Sequence, residues 1–270
     1  MYGVILAFKQ YRFIDGVFGS PWAGFANFET LFHGRDFPNA FRNTIIISFY
    51  KLVFGFPAPI LLAVLLNELR LVLYKRFVQT LSYLPHFLSW VVLAGVFMEL
   101  FSPTRGIINY VIALFGGQEI FFFGDKQWFR TLLVSTDVWK SVGWGSIIYL
   151  AALSNVDPSL YEAAVVDGAN RFRQIYHITL PTLVPVVTIM FIFAVGGIIG
   201  GDDFDQIFNF YNPAVYEVAD VLSTYTYRIG ITRMEYGLAT ASGLFQNIIA
   251  LILIITTNYV AKRYNEYGIW

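Results

Sequence analysis

The sequence predicts an all-α fold, a polytopic membrane helix bundle with about six transmembrane helices, the first of them incomplete in this chain. Hydrophobic residues make up 57% of the 270 positions, and charged residues only 13%. An average soluble domain has about 25% charged residues, so most of this chain is expected to lie in lipid. Five stretches also reach the length of about 20 mainly apolar residues that a helix needs to cross the hydrocarbon core.

The predicted spans set the expected domain organisation. They cover residues 43–66, 78–101, 132–153, 182–200 and 238–260. Residues 1–9 are largely apolar but too short to span, so we expect them to be the outer end of a first helix whose beginning is missing. The remaining divisions are an extracytoplasmic segment 10–42, a core domain 43–261 with a cytoplasmic loop 154–181, and a tail 262–270.

Basic residues orient the predicted spans, because Lys and Arg concentrate in short cytoplasmic connections. The segments richest in them are 67–77, 154–180 and the C-terminal tail, which carry Arg70, Lys75, Arg76, Arg171, Arg173, Lys262 and Arg263. These segments are therefore predicted to be cytoplasmic. Segments 10–42, 102–130 and 201–237 are predicted to lie outside.

Prolines and glycines inside the spans predict interruptions. Pro57 and Pro59 fall in the first complete span, Pro85 in the second, and Gly143 and Gly145 in the third. Such breaks are tolerated in lipid where neighbouring helices or a water-filled cavity satisfy the freed backbone groups. Close packing of helices is the other interpretation that stays open for each of them.

Composition and motifs disfavour several kinds of site. The net charge is zero, which gives no indication of a nucleic-acid partner. The lack of cysteine excludes disulfides and thiolate metal sites. Three scattered histidines show no metal-ligand spacing, and no GxxxxGK[ST] phosphate loop occurs. The acidic residues Asp202, Asp203 and Asp205 lack the EF-hand pattern, so a solvated loop or a docking surface is favoured over a calcium site.

The most informative segment is the predicted cytoplasmic loop 154–181. Asp157 is a good N-cap with a proline at the first helical position, and Gly168 is a natural C-terminal stop. Asn170 can cap a second short helix, after which Pro181 marks the entry to the next span. A loop that only reconnects two spans would be shorter and less structured, so this one is expected to contact a partner.

The same loop carries a defined spacing, which consists of Glu162-Ala163-Ala164, three residues, Gly168, nine residues, and then Ile178, one residue, Leu180 and Pro181. This pattern resembles the EAA loop of binding-protein-dependent ABC importers, EAA-x3-G-x9-I-x-L-P, at every defining position. One departure is Ile175, where many relatives have phenylalanine, although a hydrophobic contact survives.

Beyond the loop, the whole chain is similar to carbohydrate-uptake permeases related to maltose-transporter subunits. It most resembles the branch that handles complex oligosaccharides and polysaccharides, including alginate importers. The residues behind this finer placement are Tyr2-Gly3, Ala7-Phe8-Lys9, Ser20-Pro21-Trp22, Asn43-Thr44, Tyr83-Leu84-Pro85-His86-Phe87, Ser89-Trp90 and Tyr149-Leu150-Ala151-Ala152. The resemblance implies the type I ABC importer permease fold.

The resemblance also implies a non-catalytic transport subunit in the bacterial cytoplasmic (inner) membrane. The implied partners are a second homologous permease subunit, two ATP-binding subunits, an extracytoplasmic solute-binding protein and membrane lipid. This chain is expected to bind no cofactor, because ATP and Mg would belong to the partner ATPase subunits. The ATPase-coupling residues that the resemblance implies are Glu162, Ala163, Ala164, Asp167, Gly168, Ile178, Leu180 and Pro181.

Two lysines inside predicted spans are candidates for a substrate path, because ionisable side chains are costly in a membrane. Lys51 and Lys140 lie at a similar predicted depth, roughly 12–14 Å from the outer end of their helices by the helical rise. They would form a ring of positive charge suited to an acidic sugar chain. Alternatively, Lys140 pairs with Asp137 while Lys51 reaches the interface or backbone carbonyls. The aromatic candidates, which could equally form interfacial belts, are Trp90, Trp139, Trp144 and Tyr149.

Two other classes of function stay open from the residues alone. A polytopic membrane enzyme acting on glycans would need convergent acids, bases or metal ligands near one membrane face. An ATP-independent channel would leave the structured loop 154–181 unexplained.

Overall fold

The computed structural model describes residues 2–200, 203–265 and 267–269, and most of these residues are helical. The α-helices are α1 (Gly16–Gly19), α2 (Ala26–His33), α3 (Asp36–Gly55), α4 (Pro57–Glu68), α5 (Val72–Tyr83), α6 (Trp90–Leu100), α7 (Ile107–Leu114), α8 (Lys126–Ser154), α9 (Pro158–Val166), α10 (Arg171–Gln174), α11 (Leu180–Gly196), α12 (Phe204–Phe210), α13 (Tyr216–Ala219), α14 (Leu222–Tyr227) and α15 (Tyr236–Asn265). Short 3-10 helices cover Tyr2–Phe8 and Leu84–Phe87, and π-helical turns cover Ile175–Thr179 and Arg228–Thr232.

Among the described residues, three helices are long and apolar enough to cross a membrane, namely Asp36–Glu68, Arg171–Gly196 and Tyr236–Arg263. They confirm the first, fourth and fifth predicted spans as helices, with shifted ends. The third predicted span is the single helix α8. Helix α8 is long enough to cross, but it is not among the helices that are also apolar enough.

The second predicted span is wrong as a single helix. The chain is helical up to Phe87, takes an extended conformation at Leu88, and becomes helical again at Trp90. Helices Val72–Phe87 and Trp90–Leu100 pass the length and composition test only as a bent pair, which would be a fourth crossing. The break follows Pro85, in line with the prediction that this proline interrupts the span.

The glycines of α8 mark close packing and not a break. Helix α8 runs through Gly143 and Gly145 without interruption. A Cβ atom at Gly143 would collide with the backbone of Ser82, and one at Gly145 would lie 3.0 Å from the ring of Pro59. Of the two interpretations left open for these glycines, the structure therefore supports close approach of helices. The prolines Pro57 and Pro59 interrupt only locally, since α3 and α4 form one continuous candidate span.

The chain divides into two compact units. The first unit contains Met1–Phe49, Trp90–Leu133 and Gly196–Leu253, and the second contains Tyr50–Ser89, Val134–Val195 and Ile254–Trp270. The first unit has two apolar clusters, one around Phe129 and Phe210 and one around Phe37 and Tyr225. The second unit has a cluster of Ala63, Val64, Tyr149, Leu153 and Leu183.

The N-terminal segment belongs to the first unit. Its 3-10 helix ends where the Lys9 N–H donates to the Leu6 carbonyl oxygen at 3.2 Å. The Lys9 ammonium is folded inward and donates to the Phe18 carbonyl oxygen at 2.8 Å. The carboxamide of Asn27 donates to the carbonyl oxygens of Ala7 and Lys9. Hydrogen bonds from the side chains of Lys9 and Asn27 to backbone carbonyl oxygens therefore hold this segment in place.

A buried carboxamide ties α3 to the connection between α11 and α15. Nδ2 of Asn43 donates to the carbonyl oxygens of Glu217 and Asp220 at 2.9 and 3.0 Å. Its Oδ1 accepts from the Arg130 guanidinium at 2.8 Å. Arg130 also donates to the Val218 carbonyl oxygen. Asn43 thus supplies hydrogen-bond donors to the carbonyl groups of Glu217 and Asp220 at the end of α13.

An ion pair holds the next turn of the same connection. The Arg228 guanidinium donates two hydrogen bonds to the Asp220 carboxylate, at 2.9 and 2.6 Å. Asp220 is buried and also accepts from the Thr224 hydroxyl. The hydrogen bonds with Asp220 raise the pKa of Arg228 above its ordinary value. Arg228 therefore stays charged throughout the physiological range.

We expect Arg228→Met to lower stability strongly, because it leaves the buried Asp220 carboxylate without its bidentate partner. Breaking such a pair costs about 3 kcal/mol or more. The measurement is the thermal midpoint of the detergent-solubilised importer. The matched control is Arg233→Met, because Arg233 and Asp36 are exposed and 4.0 Å apart, and pairs of that kind contribute about 0–1 kcal/mol. Equal midpoints for the two variants would contradict the assigned role of the buried pair.

Candidate functional site: a two-helix coupling segment and a polar cluster

Helix α9 begins with a side-chain cap. Asp157 has extended backbone geometry, and its carboxylate accepts from the Ser159 N–H at 2.9 Å. That hydrogen bond lowers the pKa of Asp157, so the capping group is charged at neutral pH. Pro158 occupies the first helical position, where its missing N–H costs nothing. The predicted start of the helix is confirmed.

The end of α9 is a Schellman motif centred on Gly168. Gly168 has φ +74°, a left-handed conformation that glycine adopts without the strain of a Cβ atom. Its N–H donates to the Val165 carbonyl oxygen at 3.0 Å, and the Ala169 N–H donates to the Ala164 carbonyl oxygen at 2.8 Å. The predicted helix stop is confirmed, and both ends of α9 have their backbone groups satisfied.

The second helix of the segment is longer than predicted. Asn170 caps it as expected, because its Oδ1 accepts from the Arg173 N–H at 3.0 Å. The helix does not end before Pro181, however, and instead continues from Arg171 to Gly196. The π-helical turn at Ile175–Thr179 widens the helix just ahead of Pro181, and the Leu180 N–H donates to the Ile175 carbonyl oxygen. A helix can accommodate proline where its hydrogen-bond ladder is locally rearranged.

Side chains brace the segment from inside. The Tyr161 and Thr179 hydroxyl groups are 3.0 Å apart, which links α9 to the π-helical turn. The buried carboxamide of Gln174 donates to the Ala169 carbonyl oxygen at 3.0 Å. Ile175, the departure from the usual phenylalanine, packs against the apolar cluster of the second unit. The hydrophobic contact expected at this position is therefore present.

The residues predicted to couple to an ATPase are mostly at the surface. Ala164 and Ile178 are half-buried, and the exposed members are Glu162, Ala163, Asp167, Gly168, Leu180 and Pro181. Neighbouring positions of the segment carry exposed apolar side chains that the sequence reasoning missed, namely Leu160, Val165, Val166, Phe172 and Tyr176. Val166 is 87% exposed and Phe172 83% exposed. Apolar side chains this exposed on a capped, braced element are typical of a surface that docks onto a partner.

The lysines predicted for the substrate path both lie in the second unit. The Lys51 ammonium lies 3.5 Å from the Asp137 carboxylate. The Lys140 ammonium donates to the His86 carbonyl oxygen at 3.0 Å. The contact between Lys51 on α3 and Asp137 on α8 joins two helices and is not among the alternatives that the sequence suggested for Lys51.

A histidine extends this polar cluster. The His86 ring stacks on the Trp144 indole, with centroids 4.5 Å apart and planes 1° from parallel. The Phe87 ring packs edge-on against the Trp144 indole, with ring centroids 5.6 Å apart. Sequence reasoning used His86 as one of three scattered histidines and as part of the run Tyr83–Phe87 behind the family resemblance, but not as a site residue. Its position beside a proline, in the turn where a helix breaks, was the available signal.

The other aromatic candidates have different surroundings. Tyr149 is 4% exposed and is part of the apolar core of the second unit, so its position does not support a role in lining a path. Trp139 is about half exposed on α8. Trp90 belongs to the first unit, where it contacts Phe210 edge-on. Of the acidic residues considered for calcium, Asp203 and Asp205 flank the start of α12, and Asp202 lies outside the described residues.

Comparison with known proteins assigns the chain to a family. Residues 55–266 match the model of the binding-protein-dependent transport system inner membrane component. Two proteins of Bacillus subtilis (strain 168), Protein LplB and the polygalacturonan/rhamnogalacturonan transport system permease protein YteP, are each 41% identical over 270 residues. These alignments cover 100% of this chain and 85% and 84% of the two relatives.

The fold is shared with a solved transporter. The crystal structure of a bacterial alginate ABC transporter in complex with an alginate pentasaccharide-bound periplasmic protein contains a chain with a TM-score of 0.91 and 40% identity. The match covers 99% of this chain and 88% of that one. A membrane enzyme acting on glycans is not favoured by these matches. The chain belongs to the family of binding-protein-dependent ABC transport system membrane components and has the type I ABC importer permease fold.

Proposed function

We propose that this chain is the permease subunit of an ATP-driven importer of oligosaccharide fragments of acidic polysaccharides, and that the α9 surface receives the mechanical work of an ATPase. The coupling role is carried by one observation, the exposed apolar side chains on α9 and on the helix that follows it. Helix α9, which carries three of them, is capped at both ends. The substrate class is supported by the names of two relatives, one a transporter of polygalacturonan and rhamnogalacturonan and one of alginate.

The geometry of the segment supports transmission of force. Helix α9 is braced against the π-helical turn by Tyr161 and Thr179, and the Arg171 guanidinium lies 3.6 Å from the Glu68 carboxylate of α4. From Arg171 the backbone is helical up to Gly196. A partner that moves α9 would therefore displace a long, continuous helix. Glu162 offers a charge to a cationic partner, while Ala163 and Gly168 let that partner approach the backbone.

The polar cluster supports a saccharide path. A stacked His86–Trp144 pair presents ring faces, and Lys140 and Lys51 place positive charge nearby on the same unit. Cations attract carboxylates, and aromatic faces with polar edges suit sugar rings. We assign Lys140 to an acidic substrate, because its ammonium lies at the turn that carries the stacked His86–Trp144 pair.

The proposed assembly has the partners of its family. It contains a second homologous permease subunit, two ATP-binding subunits that hold ATP and Mg, and a solute-binding protein on the outer face. One solved neighbour is described in complex with a periplasmic protein loaded with substrate, which supports the last of these partners. The proposed location is the bacterial inner membrane, with α9 on the cytoplasmic side.

The coupling role is tested by reconstituting the importer with its partners in vesicles and measuring uptake of an oligogalacturonate with and without ATP. We expect uptake only with ATP, and we expect Ala163→Trp to abolish it, because the bulky ring on an exposed site of α9 prevents close docking. The matched control is Ala113→Trp, at an exposed site of the short helix α7. Uptake without ATP, or normal uptake by Ala163→Trp, would refute the coupling role.

The acidic substrate is tested by Lys140→Met. We expect the uptake of an oligogalacturonate to fall about tenfold, because a charge-assisted hydrogen bond contributes roughly 1.5–3 kcal/mol. Uptake of a neutral oligosaccharide of equal length, if the wild type carries it, should change little. Lys140→Arg keeps the charge and should retain most of the uptake. An equal loss for acidic and neutral oligosaccharides would remove the charge assignment.

A further inference from the structure

We propose that the groove between α5 and α8 is the exit route by which the transported saccharide leaves the polar cluster towards the cytoplasm. This inference rests on the proposed function, because it assigns the release step of the same transport cycle. The groove has a volume of about 440 Å³ and lies entirely within the second unit. Its lining residues are Asn67, Lys75, Gln79, Tyr83, Ile147, Leu150, Ala151 and Ser154.

The polar lining of the groove follows one face of a helix. Lys75, Gln79 and Tyr83 are spaced by four residues along α5, and His86 follows three residues later in the adjoining 3-10 helix. Residues spaced by three and four lie on the same face of a helix. The four side chains therefore form a ladder of hydrogen-bonding groups, about 16 Å long by the helical rise.

Helix α8 supplies the facing wall with the same spacing. Its groove residues Ile147, Ala151 and Ser154 continue the face that carries Lys140 and Trp144. The contact between Gly143 and the backbone of Ser82 brings the two helices together between these levels. The ladder on α5 and the facing residues of α8 thus run side by side.

The upper end of the ladder is the polar cluster itself. His86 accepts a hydrogen bond from Lys140 through its carbonyl oxygen and stacks on Trp144. Tyr83, one turn earlier, already lines the groove. A saccharide held at the cluster therefore finds its next hydrogen-bonding partner on the same face of the same helix.

The two faces of α5 differ in chemistry. The face opposite the ladder carries Leu73, Phe77 and Leu81, each of them more than 60% exposed. Apolar side chains exposed in this way are suited to lipid, whereas a row of Lys, Gln and Tyr is not. The polar face is therefore the one expected to meet water and a polar ligand.

The lining suits passage of an anionic sugar chain. Lys75 and Lys140 lie at the two ends, and no acidic residue lines the groove among the described residues. The hydroxyl and amide groups between them can exchange hydrogen bonds with sugar hydroxyl groups. Release requires several weak sites in place of one strong site, and a ladder of single hydrogen-bonding groups meets that requirement.

The groove is tested with single-cysteine variants, which are available directly because the chain contains no cysteine. Gln79→Cys and its matched control Leu81→Cys lie about 3 Å apart along the helix axis but on opposite faces. Inside-out vesicles holding the whole importer are treated with a membrane-impermeant sulfonated thiol reagent, and the mass of this subunit is measured. We expect Gln79→Cys to react at least about tenfold faster, since charged reagents are excluded from lipid, and to be protected by an oligogalacturonate. Equal rates, or no protection, would overturn the proposal.

Transport supplies the second readout. We expect Gln79→Leu to lower uptake of an oligogalacturonate about fivefold, the effect of losing one hydrogen bond, and Gln79→Asn to restore part of it. ATP hydrolysis stimulated by the loaded binding protein should persist in both variants. Normal uptake by Gln79→Leu, beside a wild type that imports, would refute the exit route alone. A wild type that imports nothing with ATP would refute the proposed function, while the labelling comparison would still decide whether the groove is open to water.

Discussion

A backbone amide or carbonyl group that is buried away from water needs a hydrogen-bond partner inside the protein. Side chains supply that partner at several described places where the backbone leaves a helix. Asn43 and Arg130 satisfy the carbonyl groups at the end of α13, and the carboxamide of Asn27 satisfies those near the N-terminal 3-10 helix. The irregular connections are therefore as well determined as the helices between them. Residues that look like ordinary polar positions in the sequence therefore hold these connections in place.

The local features of the chain could be predicted because their causes are local. The capped start of α9 at Asp157 and its end at Gly168 follow from residues within one turn of each terminus. The long apolar spans follow from composition over about 20 residues. The coupling segment was recognisable for the same reason, since its motif, its caps and its breaks lie within 30 consecutive positions of the sequence.

The remaining features depend on contacts between distant positions. Gly143 and Pro85 both looked like breaks, yet only the proline accompanies one, because the glycine serves an approach to Ser82 that no local pattern encodes. Lys51 is paired with Asp137, 86 positions away, which spacing along a single helix could not indicate. The exposed apolar surface on α9 was missed because apolar residues in a membrane protein are expected everywhere.

The π-helical turn ahead of Pro181 has a consequence for the length of the chain in this segment. A π-helical turn holds one residue more than the α-helical turn it replaces, and each residue of an α-helix rotates the following side chains by about 100°. The turn at Ile175–Thr179 therefore fixes which direction α9 faces relative to the sides of α11. Insertion or loss of a single residue there would leave both helices intact but rotate the exposed apolar side chains of α9 by about 100° relative to α11. The number of residues in this turn is therefore constrained separately from the identity of its side chains.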